Sequence, residues 1–133
     1  MTEGERDLVD TGSAAERAAG FSQAVRVGAM VFVSGVNASD GGAVEHARDA
    51  AGQARVTLTK IAHALERAGA SLEDVVRTRV FLRDAADAPA VAAVHLEVFG
   101  DIRPANSFVV AAPIGDDRLV EIEADAVIGS GRS

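Results

Sequence analysis

Ala47, Ala51, Ala54, Leu58, Ile61, Leu65 and Ala68 follow one another at steps of four and three residues, the spacing that sets side chains along one stripe of an α-helix. The spacing predicts a helix of about six turns, with Gly69 as a left-handed stop and Ser71 opening the exit turn. Such a stripe has to be buried. The small alanines at its leading end let the helix lie close to its partner, and a sheet is the partner that the rest of the chain supplies.

Strands are read where β-branched and other apolar residues alternate with polar ones. Ala24–Val27 and residues 30–34 flank a Gly28-Ala29 turn, and Val75–Leu82 puts Arg77 and Arg79 on one face with Thr78 and Val80 on the other. Residues 119–128 carry Val120, Ile122, Ala124, Ala126 and Ile128 on one face and Glu121, Glu123 and Asp125 on the other; with residues 107–112 they read as a hairpin around Gly115-Asp116-Asp117. A second, shorter helix holds Ala88, Val91, Ala92, His95, Val98 and Phe99, capped by Asp84 or Asp87 and stopped by Gly100. Residues 1–20 read as a loose arm with one brief strand at Leu8-Val9, residues 36–44 as a loop and residues 129–133 as a flexible tail. With no internal repeat or linker, residues 1–133 read as a single domain of the α+β class, both helices on one face of one sheet. The opposite face carries charges from at least two strands, so it is either wet or covered by another subunit.

At 133 residues one core is enough to hold a fold without metal or disulfide. The absence of cysteine rules out thiolate catalysis and Cys-ligated metal centres. His46, His63 and His95 share no ligand spacing, so no metal site is expected. His63 lies off the helix stripe and belongs in solvent, whereas His95 falls on the inner stripe of the second helix and reads as a packed or interface residue. The glycines form no phosphate-cradling or dinucleotide-binding motif. A net charge of −7, with neither Tyr nor Trp, works against nucleic-acid partners, which are held by counterion release and base stacking. No apolar run nears the roughly 20 residues of a membrane helix, and the acidic first residues lack a secretory pattern. A cytoplasmic location is the expectation.

Three places carry candidate chemistry. Glu121, Glu123 and Asp125 share one strand face and are either general-base candidates or cross-strand partners of Arg77 and Arg79. Ser34 ends an apolar strand before Gly35 but lacks a G-x-S-x-G elbow and an activating histidine, so it reads as a hydrogen-bonding group rather than a nucleophile. Arg103-Pro104-Ala105-Asn106-Ser107 sets a cation and an amide just ahead of a strand, either a carboxylate-recognising corner or a surface turn.

Four stretches then stand out together: Phe21-Ser22-Gln23-Ala24-Val25, Val31-Phe32-Val33-Ser34-Gly35, Gly69-Ala70-Ser71-Leu72-Glu73-Asp74-Val75-Val76 and Val120-Glu121-Ile122-Glu123-Ala124. They match, in order, the P-Y-S-Q-A-V, V-F-V-S-G, A-G-A-S-L-x-D-V-V and V-E-I-E-A segments of the RidA/YjgF family, the reactive-intermediate (imine/enamine) deaminases, which the chain resembles over nearly its whole length. The resemblance implies a chorismate-mutase-like α+β protomer, its mixed sheet covered on one face by two helices, and a homotrimer with small-molecule clefts between subunits. It also implies hydrolysis of 2-imino or 2-aminoacrylate species to 2-keto acids and ammonia without metal or organic cofactor. Carried over residue by residue, Glu121 is the catalytic group that handles water and protons. Ser34, Asn106, Phe21, Arg103 and Ser107 are the substrate-binding set.

This sequence departs from the family pattern at informative positions. Asn106 stands where active members have the arginine of P-A-R-S, and loss of that charge-assisted fork weakens carboxylate binding by roughly 1.5–3 kcal/mol. Phe21 replaces a tyrosine, and Ala92 an asparagine. The stretch from His95 to Ala105 resembles a divergent branch that lacks the arginine, and Arg103 is the one nearby cation able to replace it. The expectation is a cofactor-independent, deaminase-like hydrolase acting on a small imine, enamine or related reactive metabolite. The alternative is a trimeric small-molecule binding protein without turnover.

Overall fold

The computed structural model describes residues 5–40 and 43–131. In chain order these form β1 (Arg6–Val9), α1 (Ala14–Ala19), β2 (Ala24–Val27), β3 (Met30–Val36), β4 (Ser39–Asp40), β5 (Ala43–Val44), α2 (Ala50–Arg67), β6 (Val75–Leu82), α3 (Ala88–Phe99), β7 (Ala105–Val110) and β8 (Val120–Val127), with single 3-10 turns at Leu72–Asp74 and Ala85–Asp87. Six strands make one sheet in the order β1-β2-β3-β8-β6-β7. Every neighbouring pair is antiparallel except β6 and β7, which run parallel. The sheet is therefore mixed, and α2 and α3 lie side by side on one face of it, as the sequence implied.

The helix stripe forms α2, but three residues later than its first alanine. Ala47 lies in the preceding turn, and the helix begins where the Asp49 carboxylate accepts from the Gly52 N–H at 3.0 Å, satisfying one of the free N-terminal donors. Its end follows the expected stop. Gly69 adopts φ 88°, and the Ala70 N–H reaches back to the Leu65 carbonyl at 2.8 Å, a Schellman closure. Arg26 adds a cation there, donating to the Ala68 carbonyl at 2.9 Å. Leu58, Ile61 and Leu65 of α2 meet Val91, Val94 and Phe99 of α3 and the inner faces of β3, β6 and β8 in one core.

Four local expectations need correction. Residues 107–112 and 119–128 do not form a hairpin: β7 pairs with β6, and β8 sits between β3 and β6. The reason is burial. Val120, Ile122, Ala124 and Ala126 are all buried and need neighbours on both sides, whereas most of β7 is exposed and suits an edge; α3 is the crossover that a parallel pair requires. Residues 6–20 are not a loose arm, since β1 extends the sheet beside β2 and α1 is capped by Ser13. Residues 36–44 include the short β4–β5 ladder. The tail is tied down at its start, where the Gly129 N–H donates to the Asp74 carboxylate at 2.9 Å and the Ser130 hydroxyl to the Asp74 carbonyl at 3.3 Å; residues 132 and 133 lie outside the described residues.

The α1 cap carries a charge that works against its surroundings. Burial raises the proton affinity of Glu16, but hydrogen bonds from the Thr11 hydroxyl and the Thr11, Gly12 and Ser13 backbone outweigh it and hold the carboxyl below its ordinary 4.5. On α2, by contrast, the fully buried Thr57 hydroxyl has no partner among the described residues. An unpaired hydroxyl in an apolar contact costs about 1–3 kcal/mol, and valine has nearly its shape. Thr57→Val should therefore stabilise the fold by about 1 kcal/mol, read as a higher denaturant midpoint at unchanged m-value; a lower midpoint would mean that the hydroxyl has a partner.

Candidate functional site

The candidate residues fall into two groups, and the sheet separates them. Directly paired residues in a sheet point to the same face. Val109, Phe81 and Glu121 form one row across β7, β6 and β8, and Ser107, Arg79 and Glu123 form the next. Both rows stand on the face away from the helices. Asn106 pairs with the buried Thr78 and so points the other way, toward α3.

On the helix-free face, Arg79 lies 3.0 Å from Glu123 and 3.5 Å from Asp125. The cross-strand reading thus holds for those two carboxylates, with Arg79 serving both and, among the described residues, Arg77 serving neither. Glu121 stands clear of this pair. Its Oε1 accepts from Asn37 Nδ2 at 3.0 Å, and its other oxygen lies over the backbone of Gly35, where a Cβ would come within 2.6 Å. A β-bulge between Val33 and Val36 brings that glycine under the carboxylate, and bulges commonly re-aim side chains in this way. Asn37 is itself held by the Ser39 N–H at 3.0 Å. Glu121 is therefore a fixed, partly exposed carboxylate that forms no salt bridge among the described residues, a suitable general base for a positioned water.

Ser34, next to Gly35 on β3, ties that strand to the segment that follows Phe21. The Ser34 hydroxyl donates to the Ser22 carbonyl at 2.6 Å and its N–H to the Gln23 carbonyl at 2.9 Å. Its hydrogen is committed, so only its lone pairs remain for a ligand. Phe21, Met30 and Phe32 are each more than 40% exposed, a large apolar presentation for one chain.

The second group surrounds a cavity of about 290 Å³ between α3 and the start of β7, lined by Ala92, His95, Leu96, Phe99, Gly100, Arg103, Pro104 and Phe108. Arg103 thus reaches the cavity, although Asn106 is not among its lining residues. Its placement comes from the backbone. Gly100 stays right-handed, and the left-handed residue after α3 is Arg103 itself, at φ 52°, with its N–H returning to the Phe99 carbonyl at 2.8 Å. Behind the lining residue His95, Asn106 Nδ2 donates to Thr78 Oγ1 at 3.0 Å, and that hydroxyl lies 2.8 Å from His95 Nε2. The His95 ring packs 4.6 Å from that of Phe99 and 6.1 Å from that of Phe108.

Sequence reasoning missed Asn37, Gly35 and Thr78 as members of these groups. Thr78 had a signal, being the polar residue on the otherwise apolar inner face of its strand. The other two depend on a bulge that no pattern announced.

Burial holds the His95 imidazole below its ordinary 6.5. Above that pH it is neutral whether folded or unfolded; as pH falls, the unfolded chain takes up the proton first, so stability is lost from about 6.5 downward. Thermal unfolding between about pH 8 and pH 5 should show a steeper acid decline in the wild type than in His95→Gln. Parallel declines would mean that His95 is not desolvated.

The family model described as Endoribonuclease L-PSP matches residues 11–128. The 3-aminoacrylate deaminase RutC of Acinetobacter baylyi is 40% identical over 80% of this chain and 85% of its own length. A 2-iminobutanoate/2-iminopropanoate deaminase of Salmonella typhimurium is 36% identical over 80% of this chain and 86% of its own. Among solved structures, a member of the YjgF/YER057c/UK114 family from Mycobacterium tuberculosis superposes with a TM-score of 0.84 at 44% identity, covering 93% of this chain and all of that one. Sequence and overall fold agree, and the chain belongs to the RidA/YjgF family.

Proposed function

We propose that this protein is a cofactor-independent hydrolase that converts a small imine or enamine to a carbonyl compound and ammonia, in clefts between the subunits of a cytoplasmic homotrimer. The observation that carries the reading is Glu121: a carboxylate fixed by Asn37 over a glycine backbone, clear of Arg79, on a sheet face with exposed Phe32. The names borne by its deaminase relatives support the same chemistry.

In this reading water adds to the imine carbon as Glu121 accepts one of its protons and passes it to the imine nitrogen. In the resulting carbinolamine Glu121 takes the hydroxyl proton and hands it to the same nitrogen as the C–N bond breaks, releasing the carbonyl compound and ammonia. Atoms balance with water as the only co-reactant. Glu121 and Asn106 lie on opposite faces of one sheet, so a ligand meeting both has to span two protomers, which is the support for a trimeric site. Asn106 spends one N–H on Thr78 and keeps its second N–H and its carbonyl oxygen. Ser34, Phe21 and Ser107 then address the ligand from the Glu121 side, while Asn106 and Arg103 address it from a neighbouring subunit.

A second reading, a binding protein without turnover, draws on Asn106, whose neutral amide supplies no charge-assisted fork. The ribonuclease activity in the family model's description finds no support in a chain of net charge −7 without Tyr or Trp.

The test generates 2-imino acids with an amino-acid oxidase, traps them with semicarbazide and follows the trapped product. Wild type is expected to lower it. Glu121→Gln should lose roughly 10²–10⁴-fold in rate while retaining affinity for the 2-keto acid, and light scattering should give three times the 13.6 kDa chain mass. Activity in Asn106→Arg alone would mean that the scaffold is intact but the natural ligand is something other than an amino-acid-derived imine.

A further inference from the structure

The Thr78 hydroxyl is fully buried and has two polar neighbours, Asn106 Nδ2 at 3.0 Å and His95 Nε2 at 2.8 Å. The amide donates to it. The hydroxyl has its own hydrogen to place, and buried donors are rarely left without an acceptor. Among the described residues the acceptor within reach is His95 Nε2. That nitrogen is therefore bare, and a neutral imidazole with a bare Nε2 carries its hydrogen on Nδ1. Desolvation of the ring favours the same neutral form.

His95 Nδ1 has no protein partner among the described residues, yet the ring lines the cavity beside α3. Ala92 is one turn earlier on the same helix face, and its methyl group leaves the ring uncovered. Phe99, Phe108 and Leu96 make the remaining wall apolar. Arg103 lines the same cavity, and among the described residues it forms neither a salt bridge nor a side-chain hydrogen bond. A single guanidinium unpaired among the described residues in an apolar cavity calls for a carboxylate, and a fixed N–H on the wall of the same cavity calls for a second oxygen.

We propose that His95 is a specificity-determining residue: a neutral Nδ1–H donor, set by Thr78, that binds the carbonyl-type oxygen of a small carboxylate whose planar apolar substituent rests against Phe99 and Phe108. This rests on the reading above and extends it, since it names what the Asn106 side of the cleft selects. The cavity then favours 2-keto or 2-imino acids with an aromatic substituent over those with a methyl group.

Phenylpyruvate serves as the stable probe, with pyruvate lacking the substituent and phenethylamine lacking the oxygens. Long-range proton–nitrogen NMR of the full chain should show His95 with Nδ1 protonated and Nε2 bare, and phenylpyruvate should shift Nδ1. Phenylpyruvate should bind more tightly than pyruvate, and phenethylamine should not bind. His95→Phe should weaken phenylpyruvate roughly tenfold, about the worth of one hydrogen bond, and His95→Gln should restore part of the loss. Thr78→Val, which keeps the ring but removes the group that sets its tautomer, should fall between them.

A protonated Nε2, wild-type affinity in His95→Phe, or failure of phenylpyruvate to bind would each overturn the proposal. Should His95→Phe not fold, the tautomer and the ligand-induced shift in the wild type decide it. Binding as expected without imine turnover removes the hydrolase and leaves His95 standing. Turnover with KM for the aromatic substrate unchanged in His95→Gln removes the role of His95 and leaves the hydrolase.

Discussion

Strand β8 is hydrogen-bonded on both sides, to β3 and to β6, so its alternation is imposed on the sheet. Val120, Ile122, Ala124 and Ala126 point to the helices and are buried, which leaves Glu121, Glu123 and Asp125 no choice of face. A slip of one residue would drive three carboxylates into the core and expose four apolar side chains, an exchange that no rearrangement of the helices could offset. The register of β3 and β6 follows from this strand, and β2, β1 and β7 follow in turn. The same arrangement that excludes water from one face delivers a carboxylate to the other.

That partition shapes the candidate site. Glu121 is positioned by the bulge in β3 and by Asn37, whereas Asn106, Thr78, His95 and Arg103 are positioned by the β6–α3–β7 crossover. Each group is rigid for its own reasons: the first rests on sheet hydrogen bonds and a glycine, the second on a buried hydroxyl and stacked rings. Neither is assembled by the other. A protomer thus carries two groups of candidate residues facing opposite ways.

Much of this was legible in the sequence because it rests on periodicity. The stripe from Leu58 to Ala68 and the alternation of Val75–Leu82 and Val120–Val127 reflect single elements against one core, and each element formed where its pattern lay. What escaped depended on relations between distant elements. Nothing local in residues 107–112 says whether that strand turns back onto β8 or crosses over to β6, and a hairpin is the cheaper guess because its loop is short. The bulge that sets Gly35 beneath Glu121 is a property of the β3–β8 pair. The left-handed turn fell on Arg103 rather than on the nearby Gly100, because the carbonyl of Phe99 captures the N–H groups of Ile102 and Arg103 before the chain reverses. Family resemblance located Glu121, Ser34, Phe21 and Asn106 as positions, but it is silent on Thr78 and His95, whose significance is a matter of which hydrogen points where.

The Asn106–Thr78–His95 chain of contacts also bears on how the sheet closes. β7 has a neighbour on one side only, runs parallel to it and exposes most of its residues, so burial does little to hold its alignment. If it slid by one position, Ser107 would turn toward α3 and Asn106 away, and the buried hydroxyl would lose its amide donor. That amide is therefore a pawl on the loosest strand of the sheet, engaging in a single register. Recognition at this edge and fidelity of assembly pass through the same oxygen atom, and a change that retunes one retunes the other.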